Sequence, residues 1–377
     1  MNPIYLDYNA TTPIAPSVQE AMLPFLAEHF GNPSSGHALG RAAREAIEDA
    51  RAQVAQLLSA DRGEIIFTGG GTESNNLAFK GTALRDGDTS RRHLVISAIE
   101  HPAVVEPARF LERLGFSLTV VPCNAQGIVE PAAVADALRP DTLLVSIMHA
   151  NNEIGTLQPI AEIAGQCRQR DVLVHCDAAQ SVGKVALDVN ELGVDMLTIA
   201  GHKFYAPKGV GALYVRRGVR LEPLLHGAAH ESGRRAGTEN TSMIVGLGRA
   251  ADLVCAGRAE FAARMSGLRD RLWAALRDGS DGALKFNGDE QRRLPNTLSV
   301  RFAGVAGRDI LARVPEVYAS TGAACHSASG TSGTLAALGL TSAEAQSTVR
   351  LSLGWSTNED EIDRAASLLL DAWESLR

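Results

Sequence analysis

The chain has 377 residues, 45% of them hydrophobic and 21% charged, with a formal net charge of −7. That length and balance suit a soluble globular enzyme of two domains, and the acidic excess argues against a broad nucleic-acid-binding surface. No window is long and apolar enough to cross a membrane, and the start, Met1-Asn2-Pro3-Ile4-Tyr5, lacks the basic and apolar regions of a secretory signal.

Along the chain, short apolar runs alternate with helical patterns. The runs predict strands at 65–68, 94–97, 118–121, 143–148, 172–176, 196–199 and 211–215. Most are continuous rather than alternating, as in strands covered on both faces. Helical patterns fall at 42–58, 74–84, 104–114, 130–138 and 160–170. This alternation predicts an α/β fold with a mostly parallel sheet. After 215 the pattern changes. A loop rich in Gly, His and Arg covers 226–240, and a helical region runs from 243 to about 276. Strands at 297–302 and 349–353 and a helix at 359–373 complete a second, smaller α+β domain. Five cysteines, Cys123, Cys167, Cys176, Cys255 and Cys325, lie scattered without a CxxC pair. Reduced thiols in a cytoplasm, and no metal site, are the expectation.

Seven stretches carry polar residues that apolar patterning does not explain. Thr68-Gly69-Gly70-Gly71-Thr72-Glu73 turns from a strand into a helix, with Thr72 at the expected N-cap. Such a glycine-rich helix start binds phosphate, or is a plain turn. His101, in Glu100-His101-Pro102, follows a strand and can stack on a flat ring, shuttle a proton, or simply bond its loop. Asn151 and Asn152 follow another strand, to orient a polar ligand or to turn the chain. Asp177 closes an apolar strand at the sheet edge where open α/β folds keep ligands. It either caps the next helix or meets a cation, such as a protonated ring nitrogen, with Gln180 one turn on. Lys203 follows the strand 196–199 within Gly201-His202-Lys203. A lysine there is a solvated loop residue or, if desolvated, an imine-forming nucleophile. Cys325 sits among small residues from 320 to 333, the setting of an accessible thiol rather than a core one. Arg350 alternates away from Val349 and Leu351, to clamp a carboxylate or face water. A phosphate cradle, an acid for a ring nitrogen, an imidazole for a ring face and an imine-forming lysine are together the parts of a pyridoxal 5′-phosphate (PLP) site.

The chain resembles the NifS/IscS-type cysteine desulfurases, class V, fold-type I PLP enzymes, with selenocysteine lyases among their relatives. The likeness rests on 5–13 (Tyr-Leu-Asp-Tyr-Asn-Ala-Thr-Thr-Pro), 31–37, 71–76, 148–155, 177–180, the His202-Lys203 pair and 235–238, and it covers nearly the whole chain in order. It implies a large PLP-binding domain over 16–256 with a mostly parallel seven-stranded sheet. The small domain is then 1–15 with 257–377, carrying the cysteine loop. It implies that Lys203 holds the cofactor as an imine and that Gly71, Thr72 and His202 bind its phosphate. Thr238 of the partner subunit of a homodimer joins them. Asp177 pairs with the ring nitrogen, Gln180 contacts the ring hydroxyl, and His101 stacks on the ring and donates a proton. Asn152 and Arg350 hold the substrate carboxylate, and Cys325 accepts sulfur from L-cysteine for delivery to a further protein. L-Selenocysteine is the alternative substrate; another PLP-dependent C–S lyase or aminotransferase is the alternative activity. The chain departs from the family pattern at Ala200, where serine is usual, at 227–232, at Ala206, and around Cys325. These departures bear on substrate and acceptor more than on the cofactor.

Overall fold

The computed structural model describes residues 3–85, 90–321 and 332–377. Its strands are β1 (Ile4–Tyr5), β2 (Ile65–Thr68), β3 (His93–Ser97), β4 (Ser117–Val121), β5 (Thr142–Ser146), β6 (Leu173–Asp177), β7 (Met196–Ala200), β8 (Gly211–Val215), β9 (Lys285–Phe286), β10 (Thr297–Arg301), β11 (Val317–Tyr318) and β12 (Thr348–Ser352). Seven of them form one sheet in the order β2-β8-β7-β6-β5-β3-β4. All neighbours in it are parallel except β8, which runs antiparallel to both β2 and β7. This is the α/β architecture with a mostly parallel seven-stranded sheet expected above.

The strands read as continuous apolar runs because both faces are buried. Ile65 and Phe67 of β2, Val95 of β3, Leu197 and Ile199 of β7, and Ala212 and Tyr214 of β8 enter one core with the helix Ala38–Leu58. Their neighbours Ile66, Leu94, Ile96, Met196, Leu213 and Val215 enter the opposite core, with Leu77, Phe79, Val104 and Leu111. Each such side chain contributes about 1.5–3 kcal/mol on burial, so the alternation fixes register as well as stability. Only β4, at the sheet edge, is mostly half-exposed.

A third core gathers Ile4 and Leu6 with Leu298, Val300, Leu351, Leu369 and Trp373. Here β12, β10 and β9 form an antiparallel sheet, backed by the helix Glu359–Leu376, and β1 pairs in parallel with β11. The 39-residue helix Thr241–Gly279 joins the two regions. Its first half, with Ile244, Leu247 and Val254, packs in the core with Ile65; its second, with Phe261, Met265 and Leu272, packs in the core with Ile4.

Several boundaries differ from the sequence reading. The first long helix starts at Ala38 rather than 42, because the ring of His37 accepts the Gly40 N–H and caps it. The predicted helix 74–84 begins at Gly71 and passes through a π-helical stretch at Leu77–Gly81. The predicted strand 143–148 ends at Ser146; the Met148 N–H leaves the sheet to bond the Glu100 carboxylate at 2.8 Å.

Candidate active site

Four of the parallel strands end on one edge of the sheet, and the chain after each contributes to one cluster. Past β7, Gly201–Lys203 forms a single 3-10 turn that presents Lys203. The Lys203 ammonium donates to the carbonyls of Asn9 (2.7 Å) and Ala10 (2.9 Å). Burial, then the nearby Arg350 guanidinium, lowers it to about 8, against the opposing pull of Asp177 and Asp7. A lysine so placed reaches its neutral, nucleophilic form near neutral pH. Beside it, burial and the charges of Lys203 and Lys208 push the His202 ring down to about 4, so it is neutral. Its Nδ1 lies 3.2 Å from the Thr11 hydroxyl. The N-terminal strap 7–12 thus lies over the lysine turn, and Thr12 ties it down through the His202 carbonyl and the Tyr205 N–H.

Asp177 ends β6 and is 6% exposed. It accepts from Asn75 Nδ2 at 2.7 Å and from the Ala179 N–H at 2.9 Å, and forms no ion pair among the described residues. It caps no helix. Two residues earlier on the same face, His175 bonds Ser146 and Thr198 and is pushed down to about 4 by burial. A buried carboxylate without a cation needs one to be supplied.

The turn after β2 corrects one expectation. Gly70, not Thr72, is the N-cap residue: its φ of 143° is glycine's own, and Thr72 is the second residue of the helix. No side chain caps this helix, so its first N–H groups face outward without a side-chain acceptor. A Cβ added to Gly71 would lie 3.2 Å from the Ala200 Cβ, which brings this helix start against the end of β7. Glu73, pinned by Arg235 at 2.9 Å, accepts the Gly69 N–H.

His101 caps the helix Pro102–Glu112, its Nδ1 accepting the Ala103 N–H at 3.1 Å. That places the proton of the neutral ring on Nε2. Glu100 behind it accepts from Ser97 (2.5 Å) and Met148 and is raised to about 8 by burial. Arg350 on β12 bonds Asp7 at 2.7 Å and the Asn152 carbonyl at 3.1 Å, and its Nε has no hydrogen-bond partner among the described residues. Gln180 donates to the Asn9 carbonyl at 2.9 Å. Thr238 is exposed on the loop after β8, and no hydrogen bond among the described residues ties it to Lys203 or Asp177. A 530 Å³ cavity lined by Arg51 and by His230 and Glu231 of that same loop holds none of His101, Asp177, Lys203 or Arg350. Cys325 lies outside the described residues.

The sequence reading missed three contributors. Asn9 is 1% exposed and serves Lys203, Gln180 and Lys184 at once. Asp7 holds Arg350, and Asn75 holds Asp177. Asp7 and Asn9 lie in the stretch 5–13, and Asn75 in 71–76, so the resemblance marked the segments without assigning these side chains.

The geometry fits PLP. An uncapped helix start suits its phosphate, Asp177 lacks the cation that the ring nitrogen supplies, and the partly desolvated Lys203 suits its aldehyde. Fold and site together define a fold-type I PLP enzyme. Residues 4–365 match the model of the class-V aminotransferases. The cysteine desulfurase IscS of Dictyoglomus turgidum is 46% identical over 377 residues, covering 99% of this chain and 95% of that protein. A solved structure described as a NifS-like protein superposes with a TM-score of 0.93 at 35% identity, covering 99% of this chain and all of the other. SspA, solved in complex with cysteine, superposes at 0.81 with 38% identity, covering 93% and 98%. The chain belongs to the class-V aminotransferase family, among the IscS-type cysteine desulfurases, and its cofactor is PLP.

Proposed function

We propose that this chain is a PLP-dependent cysteine desulfurase, converting L-cysteine to L-alanine and passing the sulfur to its own Cys325. The observation that carries the reading is Lys203, partly desolvated and lowered to about 8, on the same sheet edge as a buried Asp177 that lacks a cation. The names of the relatives reported above favour cysteine over selenocysteine.

When bound, the cofactor supplies an electron sink for the charge left at the substrate Cα. Asp177 holds the ring nitrogen protonated, and the helix start at Gly71 and Thr72, with the neutral His202, holds the phosphate. Asn152 and Arg350 orient the substrate carboxylate. Lys203, once free, takes the Cα proton and returns one to Cα at the end, which completes alanine. The Cys325 thiolate attacks the substrate sulfur: an S–S bond forms, the Cβ–S bond breaks, and its electron pair stays on Cβ. His101, with its proton on Nε2, supplies the proton that turns this carbon into the methyl of alanine. The sulfur leaves as a Cys325 persulfide, to be passed to an acceptor protein.

We read the enzyme as a cytoplasmic homodimer, with Thr238 of the partner subunit completing the phosphate site. Its exposure supports that role, and the four described cysteines are free thiols. No helix of the described residues is long and apolar enough to cross a membrane. We read 16–256 as a large domain and 1–15 with 257–377 as a small one, a division supported by the core that joins Ile4 and Leu6 to Leu298, Leu351 and Trp373; Tyr8, Leu335, Leu338 and Ala345 pack instead in the core of the large sheet. The test is alanine formation from L-cysteine by wild type and Cys325→Ser. The variant should keep its PLP absorbance and lose alanine release. Full alanine release by the variant would overturn the sulfur-acceptor role.

A further inference from the structure

Lys184 is 4% exposed and forms no ion pair among the described residues. Neither the family resemblance nor the mechanism above gives it a task. It follows the turn after β6, in Ser181-Val182-Gly183-Lys184, where the sequence alone suggests a solvated turn lysine. Instead its Nζ donates to Asn9 Oδ1 at 2.8 Å and to Gln180 Oε1 at 2.9 Å. Both acceptors belong to residues that also share the Asn9 carbonyl: Gln180 Nε2 donates to it at 2.9 Å and Lys203 Nζ at 2.7 Å. Lys184, Gln180 and Asn9 therefore close a ring of hydrogen bonds onto the seat of Lys203.

A side-chain amide can flip and exchange its donor and acceptor ends. Lys184 Nζ donates to the oxygen of each amide, and that contact marks the end that faces it. Lys184 therefore acts on two amides at once, in concert with the backbone carbonyls of Asn9 and Asn152 that face their NH2 ends. It holds Gln180 with Oε1 inward, which leaves the Nε2 donors facing the Asn9 carbonyl and the open site. It also holds Asn9 with Oδ1 toward it, so that Asn9 Nδ2 donates to Thr297 at 2.8 Å and to the Asn152 carbonyl at 3.2 Å. That carbonyl also accepts from Arg350. Burying a cation without a carboxylate is unfavourable for stability alone, and burial with the charges of Lys203 and Arg350 holds Lys184 well below the ordinary lysine range. An apolar residue would fill the space without that cost but would leave Gln180 Oε1 without the Lys184 donor and the Gln180 amide held through the Asn9 carbonyl.

The geometry points to Lys184 as a positioning residue of the active site: it braces Gln180 as a donor toward the cofactor ring hydroxyl, together with the side chain of Asn9, whose backbone carbonyl seats Lys203. This rests on the reading of Lys203 and Gln180 as cofactor contacts. A fixed donor stabilises negative charge on the ring oxygen, which disfavours protonation of the nitrogen of Lys203. Losing Lys184 loosens that donor and raises the protonation midpoint at Lys203. The charged groups acting on Lys203 are Arg350 of β12, Asp177 of β6 and Asp7 of the N-terminal strap.

The experiment is a pH titration of the visible absorbance of PLP bound to Lys203, in wild type, Lys184→Met, Lys184→Gln, Gln180→Ala and the Lys184→Met/Gln180→Ala double variant. Thermal unfolding of the cofactor-free proteins is measured alongside. Lys184→Met should raise the midpoint by about one pH unit, the scale of one lost hydrogen bond. Most of that shift should vanish in the Gln180→Ala background. Lys184→Gln restores a donor without its obligation and should shift the midpoint in the same direction; it carries the test if Lys184→Met does not fold. An unchanged midpoint in the folded Lys184 variants would overturn the proposal, even with a lowered melting temperature, since that is the mark of a merely structural residue. So would full additivity with Gln180→Ala. A wild-type band that survives Lys203→Ala would instead refute the underlying assignment of Lys203.

Discussion

Replacing Asp177 with asparagine separates the cofactor role of this side chain from its structural one. The carboxylate accepts two hydrogen bonds, from Asn75 Nδ2 at 2.7 Å and from the Ala179 N–H at 2.9 Å. In Asp177→Asn the new amide oxygen can keep the Ala179 N–H, which turns its NH2 toward Asn75. Asn75 can flip in response, because its own Oδ1 is buried without a partner and loses nothing by turning. Both contacts survive, and the cofactor-free protein should change in stability by no more than about 1 kcal/mol. The cofactor loses more. A hydrogen bond to a charged group contributes about 1.5–3 kcal/mol, so PLP affinity should fall about ten- to a hundredfold. The ring nitrogen also loses the anion that keeps it protonated, so the rate of alanine formation at saturating cofactor should fall as well. Titration of the apo-protein with PLP, followed by its visible absorbance, gives the affinity; urea unfolding of the apo-protein gives the stability. An Asp177→Asn variant that binds PLP as tightly as wild type and turns over cysteine at the same rate would refute the assignment. A loss of several kcal/mol in the apo-protein would show that the carboxylate is a structural group.

Three other outcomes follow from individual contacts. Glu231, at φ 48° in the loop after β8, accepts Arg51 bidentately at 2.7 and 2.9 Å and the Phe67 N–H at 2.9 Å. Glu231→Ala removes the bidentate partner of a buried guanidinium, leaving it Glu48 at 3.1 Å and the Ile65 carbonyl, and should cost about 3 kcal/mol in urea unfolding; a loss under about 1 kcal/mol would place that pair in solvent. Burial raises Glu100 to about 8, so the folded state holds its proton between the unfolded carboxyl range and pH 8. Its favourable contribution is complete below the unfolded value and is lost as pH rises through 8. Glu100→Gln should therefore gain on wild type by about 1.4 kcal/mol per pH unit across that window, and parallel stability–pH curves would contradict it. In the cofactor-free protein, amine labelling of Lys203 should show a midpoint near 8; a midpoint near the ordinary lysine value of about 10.4 would show a solvated side chain.

The sheet was legible because its strands are continuous apolar runs, such as Leu94–Val95–Ile96 and Leu197–Thr198–Ile199, flanked by periodic helices. Asp177 and Lys203 stood out for the same reason: each is a charged residue at or just past the end of such a run. The two-residue strands β1 and β11 were not legible, since neither is long enough to carry a period. The Gly70 cap was misplaced because three successive glycines offer no side chain to mark the turn, and only the backbone angle distinguishes them. Lys184, Asn9 and Glu231 were illegible for a different reason. The partners of the Asn9 side chain lie 143 to 288 residues away and the Arg51 partner of Glu231 lies 180 away, and a polar side chain in a turn looks the same whether it meets water or a buried acceptor. Buried polar pairing across the chain is a property of the fold, not of local pattern.

The most direct measurement is borohydride reduction of the PLP-loaded protein followed by peptide mass mapping. The cofactor should be found on Lys203 alone, with Lys184 and Lys208 unmodified. Recovery of the label on Lys184, or on no lysine at all, would contradict the site built around Lys203.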